Sequence, residues 1–207
     1  MPSTTRRSLL TALSAAALLV AGAAWAGESA PKQAPDFTLP GADGTSYKLS
    51  DHKGKIVVLE WVNYGCPFVR KHYDSQNMQT LQRTYRDSGV VWLSICSSAP
   101  GKQGYFEGQA LTDRIEQEGA AATAYLIDAD GAVGKAYGAR TTPHMYVIDR
   151  GGNLVYAGGI DDVRSANVDD IARATNYVAA ALDALLEGRP VPQASSTPYG
   201  CSVKYAD

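Results

Sequence analysis

The amino-acid sequence predicts an α/β fold in which helices flank a central mixed β-sheet, with a β-hairpin extension on the N-terminal side. Two continuous apolar runs, 56–62 and 90–96, have the composition of strands that are covered on both faces. A helical pattern over 68–86 joins them, so the two strands are expected to be parallel. Later in the chain, 145–148 and 154–157 flank the turn sequence Asp-Arg-Gly-Gly-Asn, which is typical of an antiparallel hairpin. Parallel and antiparallel pairs together make the predicted sheet mixed.

The remaining elements follow from turn residues and from hydrophobic periodicity. The Asp-Gly dipeptide at 43–44 separates two short strands and predicts the N-terminal hairpin. Apolar residues that recur every three or four positions predict a last helix over 167–187, which Gly188 ends. The same criteria predict a short helix over 111–118 and a short strand over 124–127.

Composition describes an ordinary α/β protein with a single full core. The chain has 207 residues, of which 45% are hydrophobic, and a formal net charge of −2. No basic tract follows Arg7, so the sequence offers no nucleic-acid surface. The folded domain is expected over 34–188, and 189–207 forms a C-terminal tail.

The first 26 residues have the features of an export signal and are not expected to belong to the fold. Arg6 and Arg7 precede an apolar run over 9–20, and Ala24 and Ala26 are the small residues that a signal peptidase recognises. The paired arginines also fit a twin-arginine signal. An uncleaved membrane anchor is the alternative, but the run is short for a membrane span. We therefore expect an exported protein of the bacterial periplasm, without membrane attachment after cleavage.

Cys66 stands where the first buried strand ends and the following helix begins. Helix N-termini carry unpaired N–H groups and a partial positive charge, which favour a thiolate over a thiol. Pro67 suits the first helical turn, where no N–H partner is lost. Arg70 lies one turn further and is expected to add a charge on the same face. Cys66 is therefore the candidate reactive thiol.

The chain has three cysteines, an odd number that favours a working thiol over a purely structural framework. Cys96 ends the second buried strand, so it shares the carboxyl edge of the sheet with Cys66. It is expected either to be a buried core residue or to act as an alternative resolving thiol. Cys201 lies in the tail, whose two tyrosines and valine predict that it docks onto the domain.

Three motifs carry a family resemblance that covers 34–188. They are Ala-Pro-Asp-Phe-Thr-Leu from Ala34, Trp-Val-Asn-Tyr-Gly-Cys-Pro-Phe-Val-Arg from Trp61, and Thr-Thr-Pro ending at Pro143. With them, the chain resembles the thioredoxin fold in its redoxin, peroxiredoxin-like form. It is most similar to exported alkyl hydroperoxide reductase/thiol-specific antioxidant-like proteins that end in Pro-Tyr-Gly-Cys-Ser-Val-Lys-Tyr. The resemblance implies a thioredoxin-like fold, with Pro143 at the cis-proline position beside the active thiol.

The sequence departs from the patterns of both parent families around Cys66. Thioredoxins carry Cys-x-x-Cys, but Val69 stands where the second cysteine would follow, and Asn63 stands where a first one would precede. Peroxiredoxins carry Pro-x-x-x-Thr-x-x-Cys, and here Leu59 and Asn63 replace the proline and the threonine. The central hypothesis is that Cys201 supplies the missing partner. The Cys66 thiolate would attack a disulfide or a peroxide, Cys201 would resolve the product, and an external thiol reductant would regenerate both, without a cofactor or metal.

Several neighbours of the thiol are candidate supporting residues. His144 follows Pro143 and either stabilises the thiolate or turns outward. Asn63 and Trp61 are expected to shape the pocket, although Trp61 could equally belong to the core. Glu60, inside an apolar strand, matches the buried acid that assists proton transfer in thioredoxin-like proteins. His72 is expected to face solvent.

Two other function classes remain open from the sequence. Cys66, His144 and Cys201 could form a soft trigonal copper site in a copper-binding redoxin module. Alternatively, Cys66 and Cys201 could form a permanent disulfide that fixes the tail of a non-catalytic domain.

Overall fold

The computed structural model describes Met1 and residues 32–206. The predicted export signal, apart from Met1, lies outside this part of the chain. Within it, no helix is long and apolar enough to cross a membrane.

A five-stranded mixed sheet with the strand order β5-β4-β3-β7-β8 forms the centre of the domain. Its strands are β3 (Val57–Trp61), β4 (Val91–Cys96), β5 (Ala124–Ile127), β7 (His144–Ile148) and β8 (Leu154–Gly158). The first three are parallel, whereas β7 runs antiparallel to both of its neighbours. The predicted mixed sheet and the predicted parallel pair are therefore confirmed.

The N-terminal extension is a β-hairpin, also as predicted. It consists of β1 (Thr38–Pro40) and β2 (Ser46–Lys48), which pair antiparallel. A short 3-10 helix, Leu49–His52, leads from the hairpin towards β3.

Among the described residues, five α-helices flank the sheet, and the two long helices that the sequence predicted are both interrupted. The helices are α1 (Pro67–Asp74), α2 (Asn77–Asp87), α3 (Gly108–Gln117), α4 (Ala132–Tyr137) and α5 (Tyr177–Leu186). The single helix predicted over 68–86 is wrong, because Gln76 adopts a left-handed φ of 61° and separates α1 from α2. The Ser75 hydroxyl also donates to the carbonyls of Lys71 and His72, which ends α1. Helix α4 was not predicted.

The last helix is also shorter than predicted. The segment 167–187 contains a 3-10 helix, Val168–Arg173, followed by α5 after a break. Two asparagines explain the break: the side chain of Asn167 caps the first helix, and that of Asn176 accepts from the Ala179 N–H to start the second. Periodicity alone did not distinguish one helix from two.

The C-terminal tail docks onto the domain, as its tyrosines predicted. It runs beside β8, where the Ala157 N–H donates to the Ala194 carbonyl over 3.1 Å. It then forms β9 (Cys201–Ser202), which pairs antiparallel with β6 (Thr141–Thr142). In this register Thr142 lies opposite Cys201, so the tail ends beside the segment that precedes Pro143.

Candidate active site

Cys66 is the N-terminal cap of α1, at the junction that β3 and the helix create. Its N–H donates to the Asn63 carbonyl over 2.9 Å, which closes the turn after the strand. Its own carbonyl accepts the first helical bonds, from the N–H groups of Val69 at 3.0 Å and Arg70 at 2.9 Å. Pro67 occupies the first turn without leaving a donor unpaired. The sulfur therefore lies at the positive end of the helix dipole.

The tail and the loop before β7 bring a second thiol to this point. The Thr142–Pro143 peptide bond is cis, and the Cys66 thiol donates to the Thr142 carbonyl over 3.1 Å. Because Cys201 lies opposite Thr142, its thiol lies close enough to that of Cys66 for each cysteine to shift the pKa of the other. Both cysteines are free, and Cys66 is fully buried while Cys201 is partly exposed.

Gly200 permits this close approach of the tail. Its φ is +128°, a conformation that side-chain-bearing residues rarely adopt. A Cβ at this position would lie 2.1 Å from the carbonyl oxygen of Thr142. The glycine that precedes Cys201 is therefore required by the geometry of the contact.

The two thiols differ in acidity. Burial acts to raise the pKa of Cys66, but the neighbouring side chains of Cys201 and Thr142 and the backbone N–H groups of Cys201 and Val69 outweigh it. The pKa of Cys66 consequently lies below its ordinary value of 9.0. Burial first, and then the hydrogen bond and charge of Cys66, raise the pKa of Cys201 to about 11. Cys66 is thus the more acidic thiol of the pair, and Cys201 is the one that keeps its proton to higher pH.

Asn63 shapes the turn beside the thiol, whereas Trp61 belongs to the core. The Asn63 side chain accepts from the Gly65 N–H over 2.9 Å and donates to the Gln103 carbonyl over 3.1 Å. Trp61 is fully buried, on the sheet face opposite to that of Cys66, and its indole N–H donates to Ser97 over 2.9 Å. Of its two expected roles, Trp61 has that of a core residue.

Arg70 and His144 do not direct charge at the sulfur. The half-exposed guanidinium of Arg70 pairs with Asp74 at 3.1 Å, so the expected charge beside the thiol is directed elsewhere. The His144 ring lies 4.5 Å from that of Tyr146, and its Nδ1 is hydrogen-bonded to the Tyr146 hydroxyl over 3.1 Å. Burial, with nearby Arg140, lowers the pKa of His144 to about 4, so the ring is neutral near pH 7.

Glu60 is a fully buried carboxyl on the same sheet face as the Cys66 helix. It accepts hydrogen bonds from Tyr73 (2.9 Å), Gln82 (3.0 Å), Trp92 (2.8 Å) and Ser94 (3.0 Å). Burial raises its pKa, and these four donors oppose the rise. Glu60 thereby links β3 to β4, α1 and α2 beneath the thiol.

Cys96 is buried, with its thiol donating to the Gly104 carbonyl over 3.4 Å. Tyr125 is a side-chain neighbour of Cys96, and within the described residues no hydrogen bond joins Cys96 to Cys66 or Cys201. The expectation that His72 faces solvent is wrong, because its side chain is fully buried and lies 3.8 Å from Asp161. Asp161, which follows β8, and Tyr199 of the tail cover the face of α1 that was expected to be exposed to solvent.

Three residues near the tail were missed by sequence reasoning. Lys71, Asp161 and Tyr199 are buried together with His72 and form a cluster of charged and polar groups. Of these three, only Tyr199 could have been found from the sequence, because it is an aromatic residue close to Cys201 in a tail that was expected to dock. In the described part of the chain, Cys66, His144 and Cys201 do not form a group that could hold a metal ion. The proposed trigonal copper site is therefore not formed.

Known proteins resemble this chain over most of the domain. A thiol-disulfide oxidoreductase ResA from Geobacillus thermodenitrificans (strain NG80-2) is 28% identical over 123 residues, which are 58% of this chain and 64% of that protein. An uncharacterised conserved protein from Geobacillus kaustophilus has a crystal structure that matches with a TM-score of 0.72 and 34% identity, over 85% of this chain and 92% of that one.

A third likeness is a crystal structure of a putative thiol:disulfide interchange protein DsbE from Chlorobium tepidum. It matches with a TM-score of 0.50 and 27% identity, over 61% of this chain and 82% of that one. The fold is accordingly thioredoxin-like, as the resemblance implied. The model of the AhpC/TSA family matches residues 30–157, more than half of the sequence, and the chain belongs to that family.

Proposed function

We propose that the protein is a thiol-disulfide oxidoreductase in which Cys66 attacks and Cys201 resolves. The observation that carries this proposal is the placement of two free thiols of unequal acidity beside the same residue, Thr142. A helix N-terminus and several hydrogen bonds favour the Cys66 thiolate, whereas the raised pKa of Cys201 keeps its proton available.

The proposed reaction proceeds through two exchanges. The Cys66 thiolate attacks one sulfur of a substrate disulfide, forming a mixed disulfide and releasing the other substrate sulfur as a thiolate. That thiolate takes up a proton, and Cys201 loses one. The Cys201 thiolate then attacks the Cys66 sulfur, forms the Cys66–Cys201 disulfide and releases the second substrate thiolate. The substrate gains two electrons, which an external thiol reductant later returns to the protein.

The tail must move aside for the first exchange, because Cys66 is fully buried beneath it. The tail's strand pairing at this point spans only Thr141 to Thr142 on one side and Cys201 to Ser202 on the other. Such a short ladder can open without unfolding the domain. Return of the tail then presents Cys201 to the mixed disulfide.

The surroundings of Cys66 favour disulfide exchange over peroxide reduction. Asn63 replaces the threonine of the peroxiredoxin pattern, and its amide is engaged by Gly65 and Gln103. The Arg70 guanidinium is paired with Asp74. Neither side chain is therefore free to orient a peroxide. The similarity to a thiol-disulfide oxidoreductase supports the same choice, with protein disulfides as the substrate class.

The proposed setting is an exported protein of the bacterial periplasm, where disulfides persist. This proposal rests on the signal-like first 26 residues. N-terminal sequencing of the protein from its native source should find that segment removed.

Trapping experiments test the mechanism. With a model disulfide substrate, Cys201→Ser should accumulate a mixed disulfide on Cys66, detected by mass spectrometry, while Cys66→Ser should form none. Wild type should instead end with the Cys66–Cys201 disulfide. A mixed disulfide found on Cys201 in the wild type would contradict the assigned roles.

The reduction potential separates this function from a permanent structural disulfide. A redox-active pair should lie above about −300 mV, whereas a structural bond would lie far below that value. A peroxide-consumption assay with the same thiol reductant should show little turnover.

A further inference from the structure

A cluster of buried charged residues holds the segment that contains Cys201. These residues take no part in the two exchanges proposed above. The cluster consists of Lys71 and His72 of α1 and Asp161, which follows β8; their exposed fractions are 1%, 0% and 4%. The Lys71 ammonium lies 3.3 Å from the Asp161 carboxylate and donates to the Val163 carbonyl over 3.0 Å. Buried ion pairs are costly unless their remaining hydrogen-bonding positions are filled.

Tyr199 of the tail fills one of these positions. Its hydroxyl donates to Oδ1 of Asp161 over 2.5 Å, and the Val163 N–H donates to the same oxygen over 3.0 Å. The Tyr199 ring also packs edge-on against Phe68, with centroids 5.9 Å apart, and the Lys71 ammonium lies 5.8 Å from the ring centre. Tyr199 is therefore bound by the same helix that Cys66 caps.

The connection from Tyr199 to Cys201 is too short to be flexible. Only Gly200 separates them, so their Cα atoms are at most about 7 Å apart. Gly200 is itself packed against the Thr142 carbonyl. Movement of Tyr199 out of the cluster would therefore move Cys201 away from Cys66.

Two hydrogen bonds that join the tail to the domain after Cys201 are between uncharged groups, and the Lys135 ammonium lies 5.6 Å from the centre of the Tyr205 ring. The Val203 N–H donates to the Arg140 carbonyl over 3.1 Å, and the Tyr205 hydroxyl donates to the Ala139 carbonyl over 2.8 Å. A hydrogen bond to an ionised group is roughly twice as strong as a neutral one. In the reduced protein no covalent bond joins Cys66 to Cys201, so such contacts set the effective concentration of one thiol at the other.

We propose that Tyr199 is the positioning residue of the resolving thiol, with the Lys71–Asp161 pair as its binding site. This inference rests on the proposed function of Cys66 and Cys201. It assigns to the cluster the task of returning Cys201 to the same place after each opening of the tail.

Tyr199→Phe tests the inference, and Tyr85→Phe is the matched control. The Tyr85 hydroxyl donates to Asp183 over 2.8 Å, between α2 and α5, so the control also removes a tyrosine–carboxylate bond. The first readout is the equilibrium constant for forming the Cys66–Cys201 disulfide in a dithiothreitol redox buffer. The second is the pKa of Cys66, measured from the absorbance of the thiolate, because the neighbouring Cys201 lowers this pKa. Melting curves report whether each variant is folded.

Tyr199→Phe should lower the equilibrium constant at least tenfold, equivalent to about 30 mV. It should also raise the pKa of Cys66 towards that of Cys201→Ala, while Tyr85→Phe leaves the equilibrium constant within twofold of wild type and the pKa unchanged. Unchanged values in a folded Tyr199→Phe protein, or equal shifts in Tyr85→Phe, would overturn the inference. If wild type forms no Cys66–Cys201 disulfide, the proposed function fails, and the pKa comparison still decides whether Tyr199 positions Cys201.

Discussion

Replacing Gly200 by alanine should open the tail and expose Cys66, because two separate features of this position exclude a side chain. The φ of +128° is strained for alanine, at a cost of about 1–3 kcal/mol. The new Cβ would also lie 2.1 Å from the Thr142 carbonyl oxygen, where real Cβ contacts essentially never fall below 3.0 Å. One backbone must therefore shift by about 1 Å, at the point where Cys201 meets Cys66.

The backbone term alone predicts that the open fraction of the tail rises roughly 5–150-fold. Alkylation of Cys66 under native conditions, quantified by mass spectrometry, should therefore accelerate by at least about fivefold. Measuring rates on the high-pH plateau removes any effect of a changed thiol pKa. Gly188→Ala is the control, since Gly188 also has a positive φ of +71° but nothing lies within 4 Å of its Cβ position.

The reasoning is refuted if folded Gly200→Ala protein is alkylated at Cys66 as slowly as wild type. It is also refuted if Gly188→Ala gives the same acceleration, because the effect would then not depend on the contact with Thr142.

Two further predictions concern buried charges. Burial raises the pKa of Glu60 above 4.5, so its stabilising contribution is fully present below about pH 4.5 and is lost as pH rises through the raised value. Glu60→Gln should therefore become more stable relative to wild type as pH rises, in urea unfolding at several pH values; a pH-independent difference would contradict this. Lys71→Met leaves the Asp161 carboxylate buried without its cation and should cost about 3–5 kcal/mol of unfolding free energy. Arg70→Ala, in the exposed pair next to it, should cost under about 1 kcal/mol, and similar losses in the two variants would contradict the assigned burial.

The sequence predicted those parts of the fold that local pattern determines. The buried strands were found because short continuous apolar runs bounded by turn residues are typical of strands covered on both faces, and the Cys66 junction followed from their order. The breaks at Gln76 and Asn176 were missed because they depend on caps and a left-handed residue inside otherwise periodic segments. A hydrophobic pattern continues across such a break without a visible change.

The site was predicted less completely, because side-chain facing and tail contacts are non-local. Alternation along β7 allowed His144 either face, and the structure stacks it on Tyr146. Arg70 lies one turn after Cys66, which suggested a positive charge near the sulfur. Its guanidinium instead forms an ion pair with Asp74, one turn further along the helix. Nothing local marks Asp161 as the partner of a residue 38 positions later in the chain.

The separation of the two cysteines along the chain gives this site a property that a Cys-x-x-Cys helix lacks. In such a helix, both thiols are held by one element and remain neighbours whenever the helix is formed. Here Cys66 belongs to α1, whereas Cys201 depends on the docked tail, so the acidity of Cys66 reports the position of the tail. In the proposed reaction, opening the tail would remove the contacts that lower the pKa of Cys66 while it admits a substrate to the sulfur. Access of the substrate and acidity of the thiol therefore change in opposite directions. A weakly bound tail would expose Cys66 but raise its pKa, whereas a tightly bound tail would keep the pKa low but bury the sulfur. A short β-ladder, neutral hydrogen bonds such as those of Val203 and Tyr205, and the charge-assisted hydrogen bond of Tyr199 together are a physical compromise between these limits.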